Sequence, residues 1–200
     1  MTALLRRALW LVAATLAYNL IEAGVSVWAG TRAGSIALLS FGLDSVIECA
    51  ASAVLIWRLV VEVHGADAER VETAERRSAR FIGATFFALA IYVLVESVLT
   101  LTLGDHPASS PVGIILAAVS LVVMPLLAAA KLRTARRLGS RALQAEAKET
   151  LACAYLSFTL LVGLALNAAA GLWWADPGAA LAMVPWLVRE GVEGLRGDAD

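Results

Sequence analysis

Asp44 and Glu48 stand four residues apart inside a long apolar stretch. On a helix that spacing stacks the two side chains on one face. Two carboxylates placed so repel each other unless a proton or a metal ion lies between them. A polar patch bonded to a neighbouring helix is the plainer reading; cation or proton handling is the stronger one, because no Lys or Arg stands at matching depth to pair with them. Glu22 and Glu96 lie at comparable depth in two other apolar stretches, each four residues after a tyrosine, as Tyr18-x-x-x-Glu22 and Tyr92-x-x-x-Glu96. The shared pattern is either a faint internal repeat, which many transporters have, or coincidence. For both residues a direct metal role stands beside protonated hydrogen bonding between helices. A carboxylate at mid-membrane costs about 3 kcal/mol on insertion scales, so each of the four demands a reason.

Glu146 and Glu149 open a further apolar stretch and repeat the same geometry on adjacent faces, as Glu146-x-x-x-Thr150 and Glu149-x-x-x-Cys153. Lys148 lies among them, so the solvated start of an amphipathic helix is the competing reading. Cys49 and Cys153 both sit in apolar surroundings, and two cysteines make no disulfide framework. They read as small helix-packing residues rather than a bridge or a redox pair. His64 and His106 fall in loops and read as surface residues. No nucleophile, base and orienting group occur together and no glycine-rich phosphate loop is visible, so the chain is not expected to be an enzyme.

The elements that must position these residues follow from composition. Of the 200 residues 60 % are hydrophobic and 16 % charged, against roughly 45–50 % and about 25 % in soluble domains. A hydrocarbon core of about 30 Å needs roughly 20 apolar residues per helix, and backbone groups in lipid must be satisfied within the segment. The apolar runs are too long and continuous for the alternating strands of a barrel. An all-α membrane protein is therefore expected, a bundle of six spans over about 8–30, 35–57, 81–103, 112–130, 142–174 and 177–195. A charged loop is expected at 61–80 and a basic connector at 131–141. Proline at position 177 suits a first helical turn, although Arg189 and Glu190 make the sixth span the weakest. Pro125 is expected only to kink its helix. The first apolar run reads as a span, not a cleavable leader. The six tryptophans lie mostly towards span ends, as an interfacial belt does. Six spans put fifteen of the sixteen Lys and Arg residues on one side, leaving Arg32 alone on the other. That bias predicts both termini in the cytoplasm.

The stretch Gly34-Ser35-Ile36-Ala37-Leu38-Leu39-Ser40-Phe41-Gly42-Leu43-Asp44-Ser45-Val46-Ile47-Glu48 resembles the second span of the cation diffusion facilitators, which carry an acidic D-x-x-x-D-type pair there. Ala175-Asp176-Pro177 resembles that family's outer turn before its sixth span. The resemblance covers nearly the whole chain and implies a tetrahedral metal site, two residues from the second span and two from the fifth. Carried over, Asp44 and Glu48 match the first pair, the second as a longer carboxylate. Glu146 stands at the histidine or aspartate position of the second pair and Thr150 at its aspartate position, a departure from the family pattern. Glu149, Cys153, Glu22 and Glu96 are weaker candidates. Such proteins commonly add a soluble domain after the sixth span; here 190–200 reads as a short tail, so one transmembrane domain over 1–200 is expected.

The resemblance implies exchange of a cytoplasmic divalent ion for protons by alternating access. Zn²⁺ leads by family frequency, while an oxygen-rich set suits harder ions such as Mn²⁺. The metal is cargo, so no permanently bound cofactor is expected. The expected partners are membrane lipid, the metal cation, protons and, as an open option, a second copy of the chain; nucleic acid is not among them. The expected location is a bacterial cytoplasmic membrane. The rival readings are a non-transporting membrane module that binds metal or regulates, and a proton- or cation-conducting channel.

Overall fold

In a computed structural model, residues 3–63, 68–104 and 106–196 are described. They form six helices and, among the described residues, no strand. The helices are α1 (Ala3–Ala33), α2 (Ile36–Val63), α3 (Ala68–Leu103), α4 (Pro111–Leu138), α5 (Arg141–Ala170) and α6 (Ala175–Arg196). Five contain stretches long and apolar enough to cross a bilayer. The shortest of these, Gly83–Leu103, has 21 residues, about 32 Å of helix against a hydrocarbon core of about 30 Å. α6 has a similar length, 22 residues, but is not among the five. Arg189, Glu190, Glu193 and Arg196 crowd its last two turns.

Several boundaries differ from the sequence expectation. The charged loop expected at 61–80 is mostly helix, since α2 runs to Val63 and α3 begins at Ala68. The segment is rich in Ala, Glu and Arg, which are strong helix formers whether or not lipid surrounds them; His64 lies outside the described residues. The basic connector expected at 131–141 shrinks to Gly139 and Ser140. Gly139 takes the left-handed conformation that closes α4 (φ 65°), and Ser140 caps α5 through Leu143 N. The fifth span ends at Ala170 rather than 174, because Gly171 (φ 64°) caps it in the same way. α4 continues through Pro125.

α2 is the hub of the bundle and packs against α1, α3, α5 and α6, while the pairs α1–α2, α3–α6 and α4–α5 make the broadest contacts. Small residues let these backbones approach, as is usual for helices in lipid. A Cβ on Gly42 would lie 2.8 Å from the Ser26 Cβ, and one on Gly163 would lie 2.5 Å from the Ala179 Cβ. The outward faces carry exposed apolar side chains, among them Ile91 and Leu94 on α3 and Ile115 and Val122 on α4. At the end away from the chain termini, the Asp176 carboxylate caps α2. It accepts from Ser35 Oγ at 2.5 Å, Ile36 N at 3.0 Å and Ala37 N at 3.4 Å. Negative charge at a helix N-terminus is favourable, and the contact pins the start of α6 to the start of α2. Asn167 Nδ2 ties α5 to the neighbouring turn through Pro107 O at 2.9 Å.

Candidate metal centre

Three potential donors converge where α2 meets α5. One carboxylate oxygen of Asp44, one of Glu48 and the Cys153 sulfur all lie within 4.8 Å of one another. Asp44 is 2 % exposed, Cys153 fully buried, and Glu48 partly buried. The two acids share a face of α2 by their spacing, and the approach at Gly42 seats that helix against α1. A tetrahedral ion with bonds of about 2.1–2.3 Å holds its donors about 3.5 Å apart. The group therefore needs to close by roughly 1 Å, a distance that rotation of two flexible acidic side chains supplies. Among the described residues no Lys or Arg forms an ion pair with either acid. Cys49 and Cys153 are free thiols.

A cavity adjoins this group on the side nearer the chain termini. It is lined by Asp44 and Glu48, by Phe86 of α3, by Glu149 of α5 and by Trp186 and Glu190 of α6. Four carboxylates thus border one small space. Glu149 precedes Cys153 by one helical turn, so the two share a face of α5.

Glu146 and Thr150 occupy the neighbouring face and meet a different partner. Lys131 of α4 is fully buried and donates to Glu146 Oε1 at 2.7 Å and to Thr150 Oγ1 at 2.9 Å. Ser52 of α2 donates to the same Glu146 oxygen at 3.1 Å. The ammonium stands where the resemblance would put a metal between Glu146 and Thr150. The sequence reading places Lys131 in the basic connector at 131–141, ahead of Arg133, Arg136 and Arg137. Its register tells otherwise: Met124, Ala128, Lys131 and Ala135 are buried at helical spacing, whereas Arg133, Arg136 and Arg137 are exposed.

Glu22 is buried on α1 and ties that helix to three others. It accepts from Ser45 Oγ of α2 at 2.8 Å, from Ser120 Oγ of α4 through a short bond, and from the Cys153 thiol of α5 at 3.8 Å. Tyr18 hydroxyl pairs with the same Ser120 at 2.7 Å, so a line of hydroxyls ends on this carboxylate. Glu96, despite its matching tyrosine, sits half-buried on α3 and joins neither the donor group nor the cavity. Three residues near the centre carried no signal strong enough to single them out from sequence: Asn19, Lys131 and Glu190. Asn19 Nδ2 donates to Glu48 Oε2 at 2.8 Å.

The sequence pattern of the cation efflux transmembrane domain matches residues 12–196. The chain belongs to the cation efflux family. The match covers all the residues named in and around the centre, from Tyr18 to Glu190. A protein of Synechocystis sp. that bears the name uncharacterized transporter is 31 % identical over 185 residues. The similarity takes in 86 % of this cation efflux chain and 59 % of that relative, so the chain spans about three fifths of its relative's length. The family and the apolar helices together make this an integral membrane protein.

Proposed function

We propose that this cation efflux protein carries a divalent metal cation across a bilayer, with Asp44, Glu48 and Cys153 as its central binding group. The convergence of those three donors within 4.8 Å, on two helices of one bundle, carries the reading. Two carboxylates and a thiolate neutralise a divalent ion with charge to spare, as a low-dielectric site requires. Sulfur turns the choice of ion towards Zn²⁺ and away from Mn²⁺, which prefers oxygen alone. The ligands must be deprotonated to bind. Loading therefore releases protons, and protons arriving from the far side compete the ion off. The basic bias supports both termini in the cytoplasm. In that orientation the acidic cavity bordered by Glu149 and Glu190 lies on the cytoplasmic side of the centre, as an intake. Closure at the other end falls to the Asp176 contact between α6 and α2.

A second reading is a module that binds metal without moving it. The capture of Glu146 and Thr150 by Lys131 favours it, since half of the family's ligand set is then unavailable. One experiment separates the two. Purified protein is reconstituted into liposomes with an imposed pH gradient, and uptake is followed metal by metal, with binding measured in parallel. Saturable Zn²⁺ flux that follows the gradient and is lost in Asp44→Asn supports transport. Binding without flux supports the second reading. Unchanged binding and flux in both Asp44→Asn and Glu48→Gln would remove the central group from either account.

A further inference from the structure

One mid-span carboxylate stands outside both the donor group and the acidic cavity. Glu96 lies well inside the span Gly83–Leu103, at least about 10 Å of helix from either end. It is half-buried, and among the described residues it forms no hydrogen bond or ion pair. The hydrocarbon core offers no water to serve it, so a polar group at that depth calls for a partner. Its surroundings on α3 face outwards. Ala88, Tyr92, Leu99 and Leu103 fall within a quarter-turn of Glu96 around the helix, and all four are exposed. The seam they make joins the two features by which helices meet in lipid: a small residue that lets backbones approach, and a polar side chain that bonds across.

We propose that this face of α3 is an interface between two copies of the chain, in which Glu96 meets the partner's Glu96 and the two carboxyl groups share a proton. A carboxyl group is its own complement. Protonated it donates, ionised it accepts, and two of them close together hold a proton between them. Depth favours a second copy over a foreign helix. The basic bias inserts every copy in the same orientation, so two α3 helices run parallel. A twofold axis along the membrane normal then sets Glu96 and the partner's Glu96 at one level, as an isologous contact requires. Any other protein would need a matching group at that depth. Around the pair, Tyr92 and Leu99 exchange lipid for apolar contact with the second copy, and Ala88 leaves room for the helices to close. The proposal does not depend on which residues hold the metal, since Glu96 belongs to neither the donor group nor the cavity.

Dilution of the full chain in phosphatidylcholine liposomes tests this, with the dimer fraction read by energy transfer between donor- and acceptor-labelled copies. The wild type is expected to pass from dimer to monomer as lipid is added. Glu96→Leu should raise the dissociation constant about tenfold, what one hydrogen-bonded pair contributes between helices in lipid. Glu96→Gln, whose amide both donates and accepts, should keep the dimer. Both variants should still bind Zn²⁺, which shows that they are folded. Cross-linking checks the face in a chain that keeps Glu96. With Cys49 and Cys153 replaced, Leu99→Cys should form a disulfide between copies, whereas Val98→Cys, about 100° further round the helix, should not. The two positions are equally exposed, 44 % and 47 %, so lipid alone would treat them alike. A wild type that stays monomeric however little lipid is present overturns the proposal, because lipid alone then covers the face. So does a Glu96→Leu chain that dimerises as the wild type does, or a disulfide at position 98 in place of 99, since either puts the contact between copies on another surface.

Discussion

Replacing Lys131 with Met keeps the length of the side chain and removes its charge. The ammonium is fully buried and serves two acceptors, Glu146 Oε1 at 2.7 Å and Thr150 Oγ1 at 2.9 Å. After the change Glu146 keeps only the Ser52 hydroxyl at 3.1 Å on that oxygen, and its other oxygen already lacks a partner among the described residues. Removing one member of a buried ion pair costs about 3–5 kcal/mol, most of it the penalty of leaving the other charge unpaired. That corresponds to a fall of about two to three and a half powers of ten in the unfolding equilibrium constant. The double variant Lys131→Met/Glu146→Met removes both charges and should regain most of the loss, since apolar replacement of a buried pair is often close to neutral. Denaturant titration in mixed micelles, followed by tryptophan fluorescence, gives the two single values and the coupling between them. The double variant should also still bind Zn²⁺, because no hydrogen bond or ion pair described for Lys131 or Glu146 reaches Asp44, Glu48 or Cys153. A Lys131→Met protein as stable as the wild type, or a double variant that has lost metal binding, would refute this assignment of Glu146 to structure.

Two further outcomes follow from the geometry. Glu149 borders the acidic cavity while Glu146 is held by Lys131, so Glu149→Gln should lower Zn²⁺ flux in liposomes several-fold more than Glu146→Gln does; the reverse order would put the other face of α5 towards the site. With Cys49 and Cys153 replaced, a cysteine introduced at Arg196 should react with a membrane-impermeant thiol reagent only after cells are opened, and labelling of intact cells would contradict the cytoplasmic termini that the basic bias supports.

Much of this architecture could be read without coordinates. Hydrophobic runs of 20 residues or more admit only helices in lipid, because each backbone group must be satisfied within its own segment. The i, i+4 spacing put Asp44 and Glu48 on one face of α2 whatever that helix packs against. What no single helix specifies is its rotation against its neighbours. Glu146 with Thr150 and Glu149 with Cys153 have identical spacing on adjacent faces, and local pattern cannot choose between them. The choice comes from close backbone contacts, Gly42 on Ser26 and Gly163 on Ala179, which set how α2 and α5 are turned within the bundle. The same turning buries Lys131, which the run of arginines after it disguised as a loop residue, and delivers Asn19 of α1 to Glu48, across 29 positions of chain. Composition and periodicity act along one helix and were legible in the order of residues; the meeting of donors from two helices depends on interhelical rotation, which only packing in three dimensions decides.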